Sequence, residues 1–581
     1  MPLSRARRRV AAAPAKIAQP GGKGSVMESH ESDGRPLAPL NRRDLLKGAA
    51  GLGTAAALGG TGALSGFARP AAAADDLRTA ILKYPGVGNG TPGDAEWQKV
   101  GEMTLGATKA SVQPGEFKGV ELTFMGLNNQ NLHNFLFRGF LKPWEAYTGA
   151  KITWIDLAQA DYNPRLQQAI ATKTVDFDIL EMGAPFEGDV CGKGLASPMP
   201  DWVAKQIDVD DLVNYLKPPV GTWGGKRYRV TIDGDCHTIN YRTDIFSDPG
   251  LAKAWKAEGH ASEWGPPKTW QRVNEVTKFL KGKKFNGKDV YGYLDAPKPW
   301  GGFCFYFVED RAAPYVKMAG DKVWLFEPET MKPLVNNPGW VRAIQDIVDS
   351  LPFEPGDQLN ADPGTTGFQQ FLAGTGAMLS WWGDIGQIAN TSDSSVVGKV
   401  IGFDINYGSD EVYNRKSGKW EKPAGGPNFA PNMAYLGWGV YVMARVDADS
   451  KKQKAAWSAA AHLGGKDLSL WTVMYPSGFQ VHRQSHFNID EWLAAGYDKA
   501  YITGYLDSER NSYNHPNSAI EPRIPGIFQY YSVAEDELTK VFARKVSAQQ
   551  GADNIAAAWE KLTDQIGREK QIALYRESLG L

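Results

Sequence analysis

Cysteine is scarce: the 581 residues hold three, Cys191, Cys236 and Cys304. None sits in a C-x-x-C pair, which leaves the zinc-ribbon and dithiol-redox classes unsupported, and at most one disulfide is available. The fold must therefore rest on its apolar core. Long apolar runs are missing as well. The weakly apolar stretch 48–67 is interrupted by seven glycines and is too weak for a stable membrane anchor. No G-x-x-x-x-G-K-[ST] phosphate loop and no G-x-S-x-G nucleophile elbow occur. The glycines of 86–93 lack the flanking strand and helix that a dinucleotide site needs. Net charge is small, −1, but unevenly spread: residues 1–74 carry 11 basic and 4 acidic side chains, the rest 53 and 61. An acidic body without a basic stripe is not built to hold nucleic acid.

What is present suits a large globular chain. Apolar residues make up 42% and charged residues 22%, and 581 residues exceed one ordinary domain, so two lobes are expected. Nineteen tryptophans are many. Most are expected in packing; the remainder suit stacking on the apolar C–H face of a sugar. Near the N-terminus, Asn41-Arg42-Arg43-Asp44-Leu45-Leu46-Lys47 resembles the twin-arginine export motif, followed by the small-residue run and by Ala72-Ala73-Ala74 as a cleavage site. Residues 1–74 are thus expected to be a signal peptide read by the twin-arginine translocase, with Met27 an alternative start. With no cysteine near the cleavage site, a soluble periplasmic product is expected rather than a lipid-anchored one.

Residues 75–117 read as an extension over the body. Val120, Leu122 and Phe124 then alternate as a strand that ends in Asn128-Asn129-Gln130, a polar loop where open α/β sheets bind ligands. A helix with Phe135 and Leu141 follows; Pro143 should kink or restart it and Gly149 end it. Strands are expected at 152–157 and 177–182, with a helix over 165–174 between them, a parallel strand–helix alternation. Between Trp223 and Trp270 the chain reads strand, acidic turn Asp233-Gly234-Asp235, strand, and then a helix capped by Thr269 with Val273, Val276 and Leu280 on one face. Further on stand an aromatic loop at Trp300, a helix from Trp340, the run Trp381-Trp382-Gly383-Asp384, and Leu436-Gly437-Trp438-Gly439. Ser450 is expected to cap a helix through Trp457, and a final amphipathic helix carries Ile555, Trp559, Leu562 and Ile566.

This order of parts resembles the extracellular solute-binding proteins of ABC importers, in the sugar-binding class. The ending, Arg523-Ile524-Pro525-Gly526 with Tyr530-Tyr531, looks most like a larger subgroup associated with glycerol, other polyols or sugars. Leu436 stands where the family has the first glycine of its G-G-W strand. The resemblance implies an α/β, two-lobed periplasmic-binding-protein fold (type II-like), each lobe a mainly parallel sheet flanked by helices, with the ligand cleft between them. It implies 118–235 and 367–437 as lobe 1, and 236–366 and 438–581 as lobe 2. It further implies a monomer without catalytic residues, cofactor or metal, which binds a carbohydrate or polyol and meets ABC permease subunits in the membrane.

A binder of neutral polyhydroxyl ligands needs carboxylates and amides for hydroxyls and aromatic faces for the ring. The candidates are Asn128, Asn129, Gln130, Asp233, Asp235, His237, Trp300, Trp382, Asp384, Trp438 and Arg523. Each has a structural alternative. The aspartates at 233 and 235 suit local turn capping, His237 a satisfied core histidine, and Arg523 an interlobe salt bridge. Trp381 is expected to face the core, opposite its neighbour Trp382. His482 and His486 have helical metal spacing but no third ligand, and Asp447-Ala448-Asp449 opens like a calcium loop without its glycine or glutamate. A rival reading remains: an exported carbohydrate-active enzyme using paired carboxylates such as Asp235 and Asp384.

Overall fold

The computed structural model describes residues 95–128, 133–391, 400–475 and 477–581. The export motif, the first part of the extension, Asn129 and Gln130 lie outside them. The described part of the extension forms two helices, Ala95–Met103 (α1) and Gly106–Ser111 (α2). Trp97 of α1 is buried edge-on against Phe140, 5.6 Å between centroids, so this segment belongs to the core.

Glu121–Leu127 (β1) is followed by the helix Asn134–Thr148 (α3), which runs on through Pro143 and ends where Gly149 adopts φ 77°. Lys151–Leu157 (β2) pairs in parallel with β1 along its whole length. After the helix Gln159–Thr172 (α4), Ile179–Gly183 (β3) joins the other edge of β1, again in parallel. A short helix, Glu187–Val190 (α5), leaves β3. Val230–Thr231 (β4) is the last strand before the chain crosses to a second sheet at His237–Arg242 (β5).

The second body opens with Trp270–Leu280 (α6), whose cap Thr269 accepts from Arg272 N as expected. Tyr291–Tyr293 (β6), the helices Phe305–Val316 (α7) and Pro338–Ser350 (α8), Gly376–Trp382 (β7) and Ile401–Ile405 (β8) complete it. The spatial order of this sheet is β6-β7-β5-β8, with only β6–β7 parallel. Asn432–Met433 (β9) precedes the return strand Trp438–Val442 (β10), which runs antiparallel between β3 and β4. Both sheets are therefore mixed.

This pairing corrects the expected lobe boundaries. The segment 376–405 belongs with β5, not with the first sheet, and 438–442 returns to the first sheet rather than opening the second half of lobe 2. Both strands read as apolar runs, and which open edge each one completes is a choice between partners about 140 to 260 residues away.

Ser450–Leu463 (α9) packs on α3 and β10 and so adds to the first body. Its cap is Asp449, whose carboxylate accepts from Lys451 N and Lys452 N; Ser450, the expected cap, is the first helical residue, so the helix begins one residue earlier than expected. Lys499–Tyr513 (α10) lies along β8, and Ala519–Ile520 (β11) pairs with β9. Ile527–Phe542 (α11), Ala548–Ile566 (α12) and Arg568–Leu579 (α13) close the chain, with α11 and α12 on α8. The three cysteines are free and buried.

Asp449→Ala removes the acceptor for two amides that the helix cannot otherwise satisfy. It is expected to cost about 1 kcal/mol in chemical denaturation, whereas Ser450→Ala is expected to be close to neutral.

Candidate functional site

Two chain passes connect the sheets, 232–236 and 434–437, and they run side by side: Ile232 N donates to Trp438 O at 3.2 Å. A Cβ on Gly437, at φ 81°, would strike the carbonyl of Asp233. Tyr435 and Leu436 also have positive φ, 72° and 52°. The strained position at Leu436 is where the resembling family has glycine, which pays no such penalty.

Along the first pass the acidic turn is buried. Gln480 is its hub: the backbone N donates to Asp233 Oδ1 (2.6 Å), Nε2 donates to Asp235 Oδ1 (2.8 Å), and Oε1 accepts from Cys236 N (3.3 Å). Burial pushes the Asp233 carboxyl up to about 7 against the pull of the Gln480 amide and His133. Asp235 is held well above the usual carboxylate range by burial, then by Asp233, Asp384 and Glu509. Asp384 follows β7 and is raised by burial and by Asp233. Its Oδ1 has no partner among the described residues.

His237 is completely buried, and its Nδ1 lies 2.8 Å from Asp310 Oδ2. Ser380 Oγ (2.5 Å) and Asn432 Nδ2 (3.1 Å) also donate to Asp310, which fixes the ring of His237 edge-on to Trp382, 4.4 Å between centroids. Trp382 Nε1 donates to Ala434 O, so the indole ties the end of β7 to the second pass. Trp381 turns away onto Phe368 (4.6 Å), as alternation along a strand requires. Trp300 stacks on Trp381 at 6.4 Å, and its neighbour Phe303 reaches Tyr435 and Trp382. Trp438 packs between His133 and Tyr435, each 4.9 Å away. His133 in turn meets the buried Glu181.

Asp233, Asp235, His237, Trp382, Asp384 and Trp438 therefore meet at the junction of the sheets, with Trp300 at its rim. The other two described candidates do not join them. Asn128 is exposed at the end of β1, its N–H donating to Leu157 O. Arg523 is fully buried in an ion pair with Glu187 (2.5 Å), also donates to Pro219 O, and lies over Trp223. That is the salt-bridge alternative of its two readings. His482 and His486 are buried in a polar knot with Ser469 and Gln480 O, their pKa values depressed by burial.

Several groups at the junction escaped the sequence: Glu181, Tyr306, Tyr435, Gln480, Glu509 and Glu521. Glu521 Oε2 accepts from Tyr306 O–H (2.7 Å) and is pushed up to about 8 by burial. Glu509 accepts from Cys236 Sγ and is raised by burial. Only the position of Tyr435 beside L-G-W offered a local signal. The others reach the site from helices and loops more than two hundred residues from the acidic turn, or from unremarkable polar positions.

Two mixed sheets joined by adjacent passes, with aromatic rings and carboxylates at the joint, define a two-lobed binding protein. The chain belongs to the family of bacterial extracellular solute-binding proteins, whose pattern matches residues 140–469. Residues 39–59 match the twin-arginine translocation pathway signal sequence, which marks the protein for export to the periplasm. No curated protein sequence matches. Similar solved structures include an ABC transporter solute-binding protein from Agrobacterium radiobacter K84 in complex with ribitol, with TM-score 0.58, 18% identity, 77% of this chain and 99% of that one covered. Another, from Agrobacterium vitis S4 with bound D-mannitol, has TM-score 0.56 and 19% identity over 77% and 99%. Maltose-bound T. maritima MalE3 has TM-score 0.56 and 15% identity over 76% and 100%.

A carboxyl whose pKa is raised in the fold keeps its proton where the unfolded chain has lost it, so its contribution to stability falls as pH rises from about 4 to about 7. Asp233→Asn removes that fall. The melting temperature of the variant, minus that of the parent, is expected to increase across this pH range; a constant difference would contradict the raised value.

Proposed function

We propose that the protein captures a small polyhydroxylated solute, a sugar, oligosaccharide or polyol such as glycerol, and delivers it as a monomer to an ABC permease. The observation that carries this reading is the joint itself. Indole and phenol faces of Trp382, Trp438 and Tyr435 stand beside Asp233, Asp235 and Glu521, at the line where the two sheets meet. A pyranose or extended polyol offers C–H faces for the rings and hydroxyls for the carboxyl groups. The ribitol, mannitol and maltose bound by the similar structures favour the same chemistry. The work is conformational: only the closed form touches the solute from both lobes, so binding shifts the hinge equilibrium by the difference in contact energy. No covalent step is required, and a chromogenic glycoside is expected to remain intact.

Isothermal titration against sugars and polyols, with X-ray scattering to follow compaction, tests this. Saturable binding by at least one of them, with a smaller radius of gyration, is the expected result; neither binding nor compaction across the panel overturns the reading. Trp438→Ala is expected to weaken that binding about tenfold, the equivalent of about 1.4 kcal/mol, through loss of a stacking face.

A further inference from the structure

Elsewhere in this protein, buried carboxylates are matched by cations. Glu187 has Arg523 at 2.5 Å and Arg229 at 3.4 Å, Asp178 has Lys452 at 2.9 Å, Asp295 has Arg311 at 2.7 Å, and Asp346 has Arg342 at 2.9 Å. Glu535 and Glu354 lack a cation but collect donors instead. Gly302 N and Cys304 N donate to Glu535, and Asp295 N and Ser350 Oγ donate to Glu354.

The junction departs from this pattern. Among the described residues, Asp233, Asp235, Asp384, Glu509 and Glu521 have no Lys, Arg or His at ion-pairing distance, and Glu309 adjoins Glu521. The positive groups that influence them are already engaged: His133 acts on Asp233 but is bonded to Glu181, and Arg523 acts on Glu521 but is paired with Glu187. His237 is tied to Asp310. Carboxylates packed this closely without a counter-charge cannot all ionise.

A second, independent feature lies among them. Among the described residues the Tyr435 hydroxyl has no hydrogen-bond partner, although the residue is only 2% exposed. Tyr435 feels Tyr162, Asp235, Glu521 and Glu181 as its electrostatic neighbours, and its backbone is held at φ 72°. Asp233 Oδ2, Glu509 Oε1 and Glu521 Oε1 are likewise fully buried without a partner among the described residues. No three His, Cys, Asp or Glu side chains among the described residues converge closely enough to hold a metal ion. The carboxylates therefore suit a larger organic cation that meets several of them through separate N–H bonds.

We propose that the captured solute is itself cationic: a polyhydroxylated compound with a protonated amine, its nitrogen received among Asp235, Glu521 and the ring of Tyr435. This rests on the polyhydroxyl reading above and names its charge. An ammonium group supplies three donors, which suits acceptors distributed around it, and it gains further from the faces of Tyr435, Tyr306 and Trp382. Its arrival favours the ionised carboxylates, so protons leave the protein as the amine binds. A neutral polyol has the opposite preference, because protonated carboxyls can donate to its hydroxyls.

Titration calorimetry of the purified chain compares D-sorbitol with D-glucamine and D-glucose with D-glucosamine, in two buffers of different ionisation enthalpy. The amine of a pair is expected to bind at least about tenfold tighter than its parent, with net proton release. Its affinity is expected to rise from about pH 5 to about pH 7. Glu521→Gln is expected to reduce the preference for the amine, and an unchanged preference counts against the assignment. A neutral parent that binds as tightly as its amine, proton uptake on binding, or no amine-dependent binding by any probe overturns it. Putrescine binding where no polyol, sugar or hydroxylated amine binds would support the cation site and sink the carbohydrate reading. Binding of neutral sugars alone would do the reverse.

Discussion

The close passage of two chain segments between the sheets governs this molecule. Gly437 lies so near the Asp233 carbonyl that no side chain fits, and Ile232 donates across to Trp438. Both passes share one line, so whatever faces that line is presented to both sheets. The positive φ values of Tyr435 and Leu436 concentrate backbone strain at the same place. Strain of this kind persists only where surrounding contacts over-determine it. Here they include the bond from Trp382 to Ala434 and the packing of Trp438 against Tyr435.

The electrostatics follow the same geography. Away from the joint the chain neutralises its buried acids, as Glu187 between Arg229 and Arg523 shows. At the joint burial dominates, and Asp233 adds to the upward push on Asp235, Asp384 and Glu509. Protons held by these buried acids link the stability of the joint to pH. The acidic residues of the joint are poised by their surroundings rather than by their own chemistry alone.

Cysteine scarcity finds its counterpart in the core. With no disulfide among the described cysteines, cohesion comes from packing, and nine tryptophans are almost wholly buried, among them Trp144, Trp270, Trp340 and Trp559. The expectation that most indoles serve packing agrees with this, and it explains why composition alone does not single out Trp382 and Trp438. Trp382 lies beside an equally aromatic neighbour, Trp381, whose ring points elsewhere.

Features that short-range physics controls can be read from contiguous residues. Thr269 caps its helix, Gly149 ends another, the apolar stripe of Ile555 and Trp559 is buried, and the export motif is legible because its parts are contiguous. Part of the site was legible for the same reason: the acidic turn at Asp233 and Asp235 and the W-G-D run at Trp382 are local patterns. Only the tertiary structure decided which sheet Gly376–Trp382 and Trp438–Val442 join, that Arg523 belongs to Glu187, and that Gln480, Glu509 and Glu521 reach the acidic turn. Caps and turns depend on groups a few residues apart, whereas strand pairing and the charge state of a buried acid depend on partners hundreds of residues away.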